Sequence, residues 1–159
     1  MKPSWNLVAD IGGTNARFAV LMAGKTENLS EFQYTVQQQP VFLSLIETLM
    51  ERIISTTGWH HPPANACFAV ACPANLDPVS ITNCPWHFTR HELQSALKCE
   101  SVTIINDFAA MAHGIHAITE TDVFKSGVAM GNRANQSLYW ERERAWGWQP
   151  LFQIRATTR

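Results

Sequence analysis

A short stretch near the start of the chain has the residue types and spacing of an anion site. Asp10 is followed by Ile11, by the pair Gly12-Gly13, and then by Thr14. Glycine has no Cβ, so backbone N–H groups can approach an anion closely and positive φ is allowed. A carboxylate beside such a turn could hold a hydrated Mg²⁺ against phosphate oxygens. The same residues also fit an ordinary Gly-Gly hairpin with an unrelated acid, and this stretch alone leaves both interpretations open.

A second polar pair, Asn106-Asp107, lies between a β-branched run and a helical pattern. The run over 101–105 predicts a strand, and the residues over 108–115 predict a helix. Open α/β sheets bind ligands at the carboxyl ends of their strands, which favours a functional role for Asp107. The alternative is a helix N-cap, because Asp commonly starts a helix. The two roles are compatible.

The composition restricts the class of protein. The 159 residues carry a net charge of −1, with 46% apolar and 16% charged residues, which suits one soluble domain with a real core. This balance gives no electrostatic basis for binding nucleic acid or an anionic membrane. No apolar run approaches the ~20 residues that span a bilayer, and the start shows no signal-peptide pattern. We therefore expect a cytoplasmic protein that binds neither nucleic acid nor membrane, with its four cysteines as reduced thiols.

The elements around the glycine turn are predicted to be strands. Apolar runs over 5–9 and 18–21, and the polar–apolar alternation over 31–36, indicate three successive strands in an antiparallel meander. A dinucleotide-binding fold would need a helix directly after the glycine turn, so the β-rich stretch from Arg17 to Leu21 argues against NAD.

Helices and strands alternate after this meander. Apolar residues at three- and four-residue steps predict a helix that begins near Pro40 and ends near Gly58. The apolar run over 67–72 predicts a strand buried on both faces, and 79–83 predicts another strand. The stretch from Thr89 to Glu92 has the form of a capping box that starts a short helix.

The predicted fold class is therefore α/β, with a mixed sheet that opens with an antiparallel hairpin and carries flanking helices. This order resembles the ribonuclease-H-like half of the actin and hexokinase ATPases. In that architecture the strand ending at Ile105 would run parallel beside the first strand. Asp107 would then lie at the carboxyl end of the sheet, close to the glycine turn.

Three stretches in order resemble the bacterial glucokinase family, in its branch without a zinc motif. They are Asp10 to Arg17, then Ala71-Cys72-Pro73 with Thr82-Asn83 and Trp86, and finally Ile104 to Phe108. The resemblance extends from about Trp5 to Gly127. It implies that the first motif wraps the phosphates of ATP, through Ala9, Asp10, Ile11, Gly12, Gly13, Thr14 and Asn15, with Asp10 as the ligand of Mg²⁺.

The resemblance also implies roles for the polar pair. Asn106 and Asp107 would bind glucose, and Asp107 would be the general base that takes the proton of the 6-hydroxyl as it attacks the γ-phosphorus. These residue types suit the reaction, because phosphoryl transfer needs mainly positioning, charge neutralisation and one proton acceptor. Trp86 is expected to be a core or hinge residue rather than a platform for the sugar.

The stretch from Tyr139 onward does not match the family's pattern. Three of the six tryptophans lie between residues 140 and 148, where a second glycine-rich phosphate loop is due. Because tryptophan has a single codon, a reading shifted by one base is constrained, and it admits Leu-Gly-Ala-Gly-Thr-Gly-Leu-Gly-Val-Ala-Thr. We interpret 1–138 as the amino-terminal small lobe of a glucokinase-like fold, and 139–159 as an out-of-frame tail after loss of one nucleotide near Leu138. The alternative is a genuine Trp/Arg-rich tail such as an interfacial helix.

The implied function is phosphorylation of glucose to glucose 6-phosphate by ATP, with Mg²⁺, at the entry to glycolysis. Glucose and ATP are the implied partners, and the resemblance allows a homodimer for full-length relatives. Closure over both substrates needs two lobes, so the chain as given is expected to have negligible activity. The alternatives are a kinase of another hexose on the same fold, or a non-catalytic sugar-binding or regulatory module.

Overall fold

The structure is a computed structural model, and it describes residues 3–25, 28–73, 75–81 and 84–115. The strands and helices follow in chain order. They are β1 (Trp5–Ile11), β2 (Asn15–Met22), β3 (Asn28–Thr35), a short 3₁₀ helix (Val36–Gln38), α1 (Phe42–Thr57), β4 (Asn65–Val70), β5 (Val79–Ser80), β6 (His87–Phe88), α2 (Arg90–Leu97), β7 (Ser101–Asn106) and α3 (Asp107–Gly114).

Five of these strands form one mixed sheet in the order β3-β2-β1-β4-β7. The β1–β2 and β2–β3 pairs are antiparallel, whereas β4 runs parallel to both β1 and β7. The predicted meander and the mixed α/β class are therefore confirmed.

The expected position of β7 beside the first strand is wrong, because β4 lies between β1 and β7. Its last three residues are fully apolar and buried, which suits an inner position with both faces covered. By contrast, β7 exposes Ser101 and Thr103, and polar residues are tolerated at a sheet edge. The carboxyl ends of the three parallel strands still meet at one edge.

One face of the sheet packs against α1 and α2 to form the main core. The buried face of α1 repeats at helical spacing through Phe42, Leu45, Ile46, Leu49 and Ile53, which confirms the predicted amphipathic helix. It begins at Phe42 rather than Pro40, and ends before Gly58, whose φ of 72° is the left-handed conformation that glycine adopts freely. An aromatic cluster lies where α1 meets the sheet, with the Phe42 and Phe88 ring centroids 4.2 Å apart.

The opposite face of the sheet carries a smaller apolar cluster of Val8, Ala19 and Leu21. Side chains alternate along a strand, so Asp10 shares this face with Val8, and Arg17 shares it with Ala19. The two charged residues therefore continue a partly apolar surface towards the glycine turn.

The local signals for α2 are confirmed in detail, whereas the strand predicted over 79–83 is shorter than expected. Thr89 Oγ1 accepts a hydrogen bond from the Glu92 backbone N–H at 3.1 Å, and Glu92 Oε2 accepts one from the Thr89 N–H at 2.7 Å. Only Val79–Ser80 forms a strand, paired with His87–Phe88, and Thr82-Asn83 lies outside the described residues. None of the helices in the described ranges is long and apolar enough to cross a membrane.

Candidate active site

The glycine turn joins the first two strands as a tight hairpin. β1 ends at Ile11 and β2 begins at Asn15, and the Gly12 N–H donates to the Asn15 carbonyl at 3.0 Å. The tip is tied to the end of β3, because the Val36 N–H donates to the Thr14 carbonyl at 2.9 Å. The hairpin is therefore held in place by its neighbours before any ligand is bound.

The backbone conformation of the hairpin does not require glycine through positive φ, and at Gly12 it does not require the missing Cβ either. Gly24 and Gly58 are the glycines with positive φ in the described residues, so Gly12 and Gly13 are not needed for a left-handed backbone here. A Cβ built on Gly12 would lie 3.7 Å from the Asn15 carbonyl, an ordinary contact. Of the two reasons considered for the glycines, only room for an approaching group remains. Gly12 and Gly13 are partly exposed and Thr14 is exposed, so such a group would reach them from solvent.

Asp10 and Arg17 lie directly opposite each other in the β1–β2 ladder. Opposite charges at directly paired positions of an antiparallel ladder attract each other. Burial raises the pKa of the Asp10 carboxyl above its ordinary value, Arg17 lowers it, and the Asp107 carboxylate raises it. Asp10 and Asp107 are thus close enough to repel although they come from different ends of the described chain. Paired carboxylates of this kind are typical of sites that bind a cation or move a proton.

The strand register brings the polar pair to the same edge as the hairpin. Ile11 pairs with Val70, and Val70 pairs with Asn106, so the ends of β1, β4 and β7 lie in one row. Neighbouring strands are about 4.8 Å apart, which places Asn106 roughly 10 Å from the end of β1. This separation suits two ends of one ligand-binding site.

Asn106 and Asp107 start α3 with defined hydrogen bonds. Asn106 is the N-cap, and its Oδ1 accepts from the Phe108 N–H at 3.0 Å. Asp107 Oδ1 accepts from the same N–H at 2.9 Å, and its charge is favourable at a helix N-terminus. The N-cap role is therefore real for Asn106, while the half-buried Asp107 carboxylate remains at the sheet edge. Of the two roles considered for this pair, the helix cap is observed, and the chemical role of Asp107 stays a prediction.

The described residues of the second motif contribute a backbone carbonyl next to Asn106 and a core side chain. Asn106 Nδ2 donates to the Cys72 carbonyl at 3.0 Å. Trp86 is 1% exposed, its indole N–H donates to the Gln39 carbonyl at 2.5 Å, and its ring lies 5.0 Å from Phe42. Trp86 is therefore a core residue, as expected. The cysteines at 67, 72, 84 and 99 are free in the structure.

Two features of the site were not predicted from the sequence. Arg17 was noticed only as the end of a motif, and its pairing with Asp10 follows from the hairpin register. The Cys72 carbonyl carries no signal in the sequence at all, because every residue has one. Within the described ranges no three His, Cys, Asp or Glu side chains converge as a metal site, so carboxylates of Asp10 and Asp107 are the acidic groups available to a cation near the hairpin.

The site lies in a fold known from sugar kinases. A crystal structure of glucokinase from an Antarctic psychrotroph matches with a TM-score of 0.62 and 32% identity, covering 81% of this chain and 41% of that one. A ROK family glucokinase from Streptomyces griseus, in complex with glucose and AMPPNP, matches with a TM-score of 0.52 and 17% identity, covering 71% of this chain and 36% of that one. The fold is thus the mixed α/β fold of the actin-like ATPase type.

Sequence comparison identifies the family. The glucokinase family model matches residues 7–138. The glucokinase of Colwellia psychrerythraea is 37% identical over 123 residues, which cover 77% of this chain and 36% of that protein. The chain belongs to the glucokinase family. It spans about a third of the length of the curated relatives that it matches.

Proposed function

We propose that this chain forms the amino-terminal part of an enzyme that transfers the γ-phosphoryl group of ATP to the 6-hydroxyl of glucose, as its relatives' name implies. The observation that carries the proposal is the register that aligns the Asp10 hairpin with Asn106-Asp107 at one sheet edge. A phosphate site and a proton acceptor at one sheet edge are what a kinase needs from this region.

The hairpin would take the phosphates. The backbone N–H groups of Gly13 and Thr14, at the partly exposed tip of the hairpin, would bind phosphate oxygens. The Gly12 N–H already donates to the Asn15 carbonyl. Mg²⁺, held by Asp10, would neutralise charge on those oxygens. Its positive charge would also relieve the repulsion between Asp10 and Asp107 that raises the pKa of Asp10.

Asp107 would be the base. Its carboxylate is held at the start of α3 by the Phe108 N–H, and would accept the proton of the attacking hydroxyl. Asn106 uses one amide N–H and one lone pair of Oδ1 within the protein. One N–H and one lone pair remain for sugar hydroxyls.

Glucose is the hexose that the family name favours, and another hexose is the alternative. The family resemblance also implies a sugar-binding glutamate and histidine, which lie beyond the stretch of the family model that matches residues 7–138. We propose a cytoplasmic enzyme of glycolysis on the same basis. A hexose panel in the assay below separates the sugars, since a glucose-specific site should discriminate against epimers by unpaired polar groups.

We further propose that residues 139–159 are read out of frame. These residues lie outside the described ones, and support comes from the family match, which stops at residue 138. The nucleotide sequence tests this directly. A one-base insertion near codon 138 should restore an in-frame Gly-Thr-Gly loop, and if no such loop appears in either shifted frame the tail is genuine.

Binding of Mg-ATP to the chain as it exists tests the hairpin separately from turnover. The 159 residues carry the first of the two phosphate loops that the family resemblance implies. We therefore expect weak binding of Mg-ATP, with a Kd of about 1 mM or above, and no turnover of glucose. Backbone amide signals of Gly12, Gly13 and Thr14 should move in a Mg-ATP titration, and Asp10→Asn should reduce the Mg²⁺-dependent part. Asp77→Asn is the matched control, because the exposed Asp77 lies away from the hairpin and asparagine keeps an acceptor for the Arg90 N–H. Movement confined to α2, or ordinary turnover of glucose by the 159-residue chain, would contradict the proposal.

A further inference from the structure

We propose that Asn106 and the Ala71-Cys72 segment form a bridge that fixes the spacing between the glycine hairpin and Asp107. In this role Asn106 is a positioning residue in addition to a sugar ligand. The inference rests on the proposed function only in giving Asp107 a chemical role, and its test needs neither sugar nor ATP.

The first half of the bridge connects the segment after β4 to the hairpin. The Ala71 N–H donates to the Ile11 carbonyl at 3.1 Å, at the point where β1 ends and the turn begins. This bond continues the parallel β1–β4 ladder by one residue beyond Val70. The position of the Ala71-Cys72 segment is therefore set by the same backbone that presents the glycine pair.

The second half connects this segment to the start of α3. Asn106 Nδ2 donates to the Cys72 carbonyl at 3.0 Å, and Asn106 Oδ1 accepts from the Phe108 N–H at 3.0 Å. The two bonds use opposite ends of one planar amide, and the reversed amide would set oxygen against carbonyl and nitrogen against an N–H. The amide therefore has one orientation, which holds α3 against the segment after β4.

Asp107 depends on this arrangement because it shares a donor with Asn106. The Phe108 N–H donates to both Asn106 Oδ1 and Asp107 Oδ1. When Asn106 loses the Cys72 carbonyl, the cap can remain, but the start of α3 is then held to this edge by the β4–β7 ladder, which ends at the Val70–Asn106 pair, without the side-chain bond. The bridge thus gives the Ala71-Cys72 segment a role that depends on its backbone groups.

Residue chemistry selects asparagine at position 106. An N-cap requires a side-chain acceptor, which Ser, Thr, Asp and Asn all supply. A bond to a carbonyl requires a donor, and the longer amide of asparagine supplies both at once. Serine keeps a neutral cap but is too short to reach in both directions, so Asn106→Ser removes the bridge and retains the helix start.

The alkylation rate of each cysteine can be measured separately, and the rate at Cys72 tests the bridge. Cys72 is 5% exposed and Cys99 is 7% exposed, so each is alkylated only when its surroundings open. In Asn106→Ser, we expect native-state alkylation of Cys72 to rise roughly fivefold to tenfold, the range that one lost hydrogen bond of this kind produces. Alkylation of Cys99 and Cys67, measured in the same sample by mass spectrometry, should change less than twofold, within the error of such rates.

As a matched control, Asn65→Ser removes a similar side-chain hydrogen bond at the other end of β4. Asn65 Nδ2 donates to Asn6 Oδ1 at 3.2 Å at the opposite end of β4, so Asn65→Ser should leave the Cys72 rate unchanged. A purely structural role for Asn106 would raise the alkylation of all buried cysteines together through global unfolding. A Cys72 rate that is unchanged, or that rises only in step with Cys99, overturns the proposal.

One further readout keeps the proposal testable if Asn106→Ser folds poorly. In the unmodified chain, one of the two Asn106 side-chain amide protons should exchange with solvent at least several-fold more slowly than those of the exposed Asn75. Equal exchange of both Asn106 protons at the rate of Asn75 would contradict the bridge without any variant.

Discussion

Replacing Asp10 by asparagine should stabilise the chain at neutral pH, although the same change should damage its function. Burial raises the pKa of the Asp10 carboxyl, Arg17 lowers it, and Asp107 raises it again, with a net increase above the ordinary value of 3.8. The folded state therefore disfavours the charged form that exists at neutral pH. Asparagine has nearly the same shape and no charge, so it removes this cost.

The size and the pH window of the effect follow from linkage. As the pH rises from acid, the unfolded chain loses the Asp10 proton first, so stability falls between the ordinary pKa and the raised folded-state pKa and stays lower above it. One pKa unit corresponds to about 1.4 kcal/mol, and Asp10 is only partly buried with Arg17 opposite it. We expect Asp10→Asn to gain about 1 kcal/mol at neutral pH, a rise in Tm of roughly 3–6 °C.

Thermal unfolding followed by circular dichroism from about pH 3 to about pH 8 measures this effect. The parent and Asp10→Asn should have the same Tm near pH 3, where the carboxyl is protonated in both states, and should diverge as the pH rises. Glu47→Gln is the control, because Glu47 is exposed on α1 and should change stability by less than about 0.5 kcal/mol. A lower Tm for Asp10→Asn at neutral pH would refute the reasoning, since it would mean that attraction to Arg17 outweighs burial.

Three further outcomes are expected for other parts of the chain. Thr89→Ala should cost about 1 kcal/mol of urea-unfolding free energy by removing the capping box, whereas Ser95→Ala on the exposed side of α2 should be nearly neutral. Phe42→Ala should lower the free energy of unfolding by about 3–5 kcal/mol, because it removes a ring from the aromatic cluster. Val41, which is 54% exposed, provides the control variant Val41→Ala, and equal effects of the two variants would contradict the packing. Burial raises the pKa of Cys67 to about 11, so the rate of its alkylation should increase about tenfold per pH unit up to that pH. A rate that stops increasing near pH 9 would mean that burial does not raise the pKa of this thiol.

The sequence was sufficient where the signal is local. The glycine hairpin, the apolar face of α1 and the Thr89 capping box each depend on residues within a few positions of one another, and all three are present. The Asn106 N-cap follows the same logic. Helix periodicity and capping chemistry can be interpreted without knowledge of the rest of the fold.

What the sequence could not predict depends on contacts between distant segments. β7 was expected beside β1, but burial across the whole sheet decides which strand takes that inner position, and it favours the more apolar β4. Strand β6 has only two residues, too few for a pattern. The opposition of Asp10 and Arg17 needs the hairpin register, and the Asn106–Cys72 bond needs two chain segments brought together by the sheet.

The presence of an acid at position 10, despite its cost in stability, fits the role that we propose for it. A partly buried acid that faces a second carboxylate lowers stability, and such a cost is commonly tolerated where a side chain serves a ligand. The glycine pair also fits a ligand-binding role, since the hairpin requires neither positive φ at these glycines nor the missing Cβ at Gly12. Both features are the ones expected if the proposed phosphate and cation bind at this turn.

The central claim is that Asp107, aligned with the glycine hairpin, is the base of an ATP-dependent glucose kinase. The most direct measurement is a coupled assay for glucose 6-phosphate on the product of the gene corrected by one base near codon 138, beside its Asp107→Asn variant. The account predicts Mg-ATP-dependent turnover of glucose that falls by about 10²–10⁴-fold in Asp107→Asn, with Asp77→Asn unchanged. A folded, corrected chain that phosphorylates no sugar, or one whose activity survives Asp107→Asn, would contradict it.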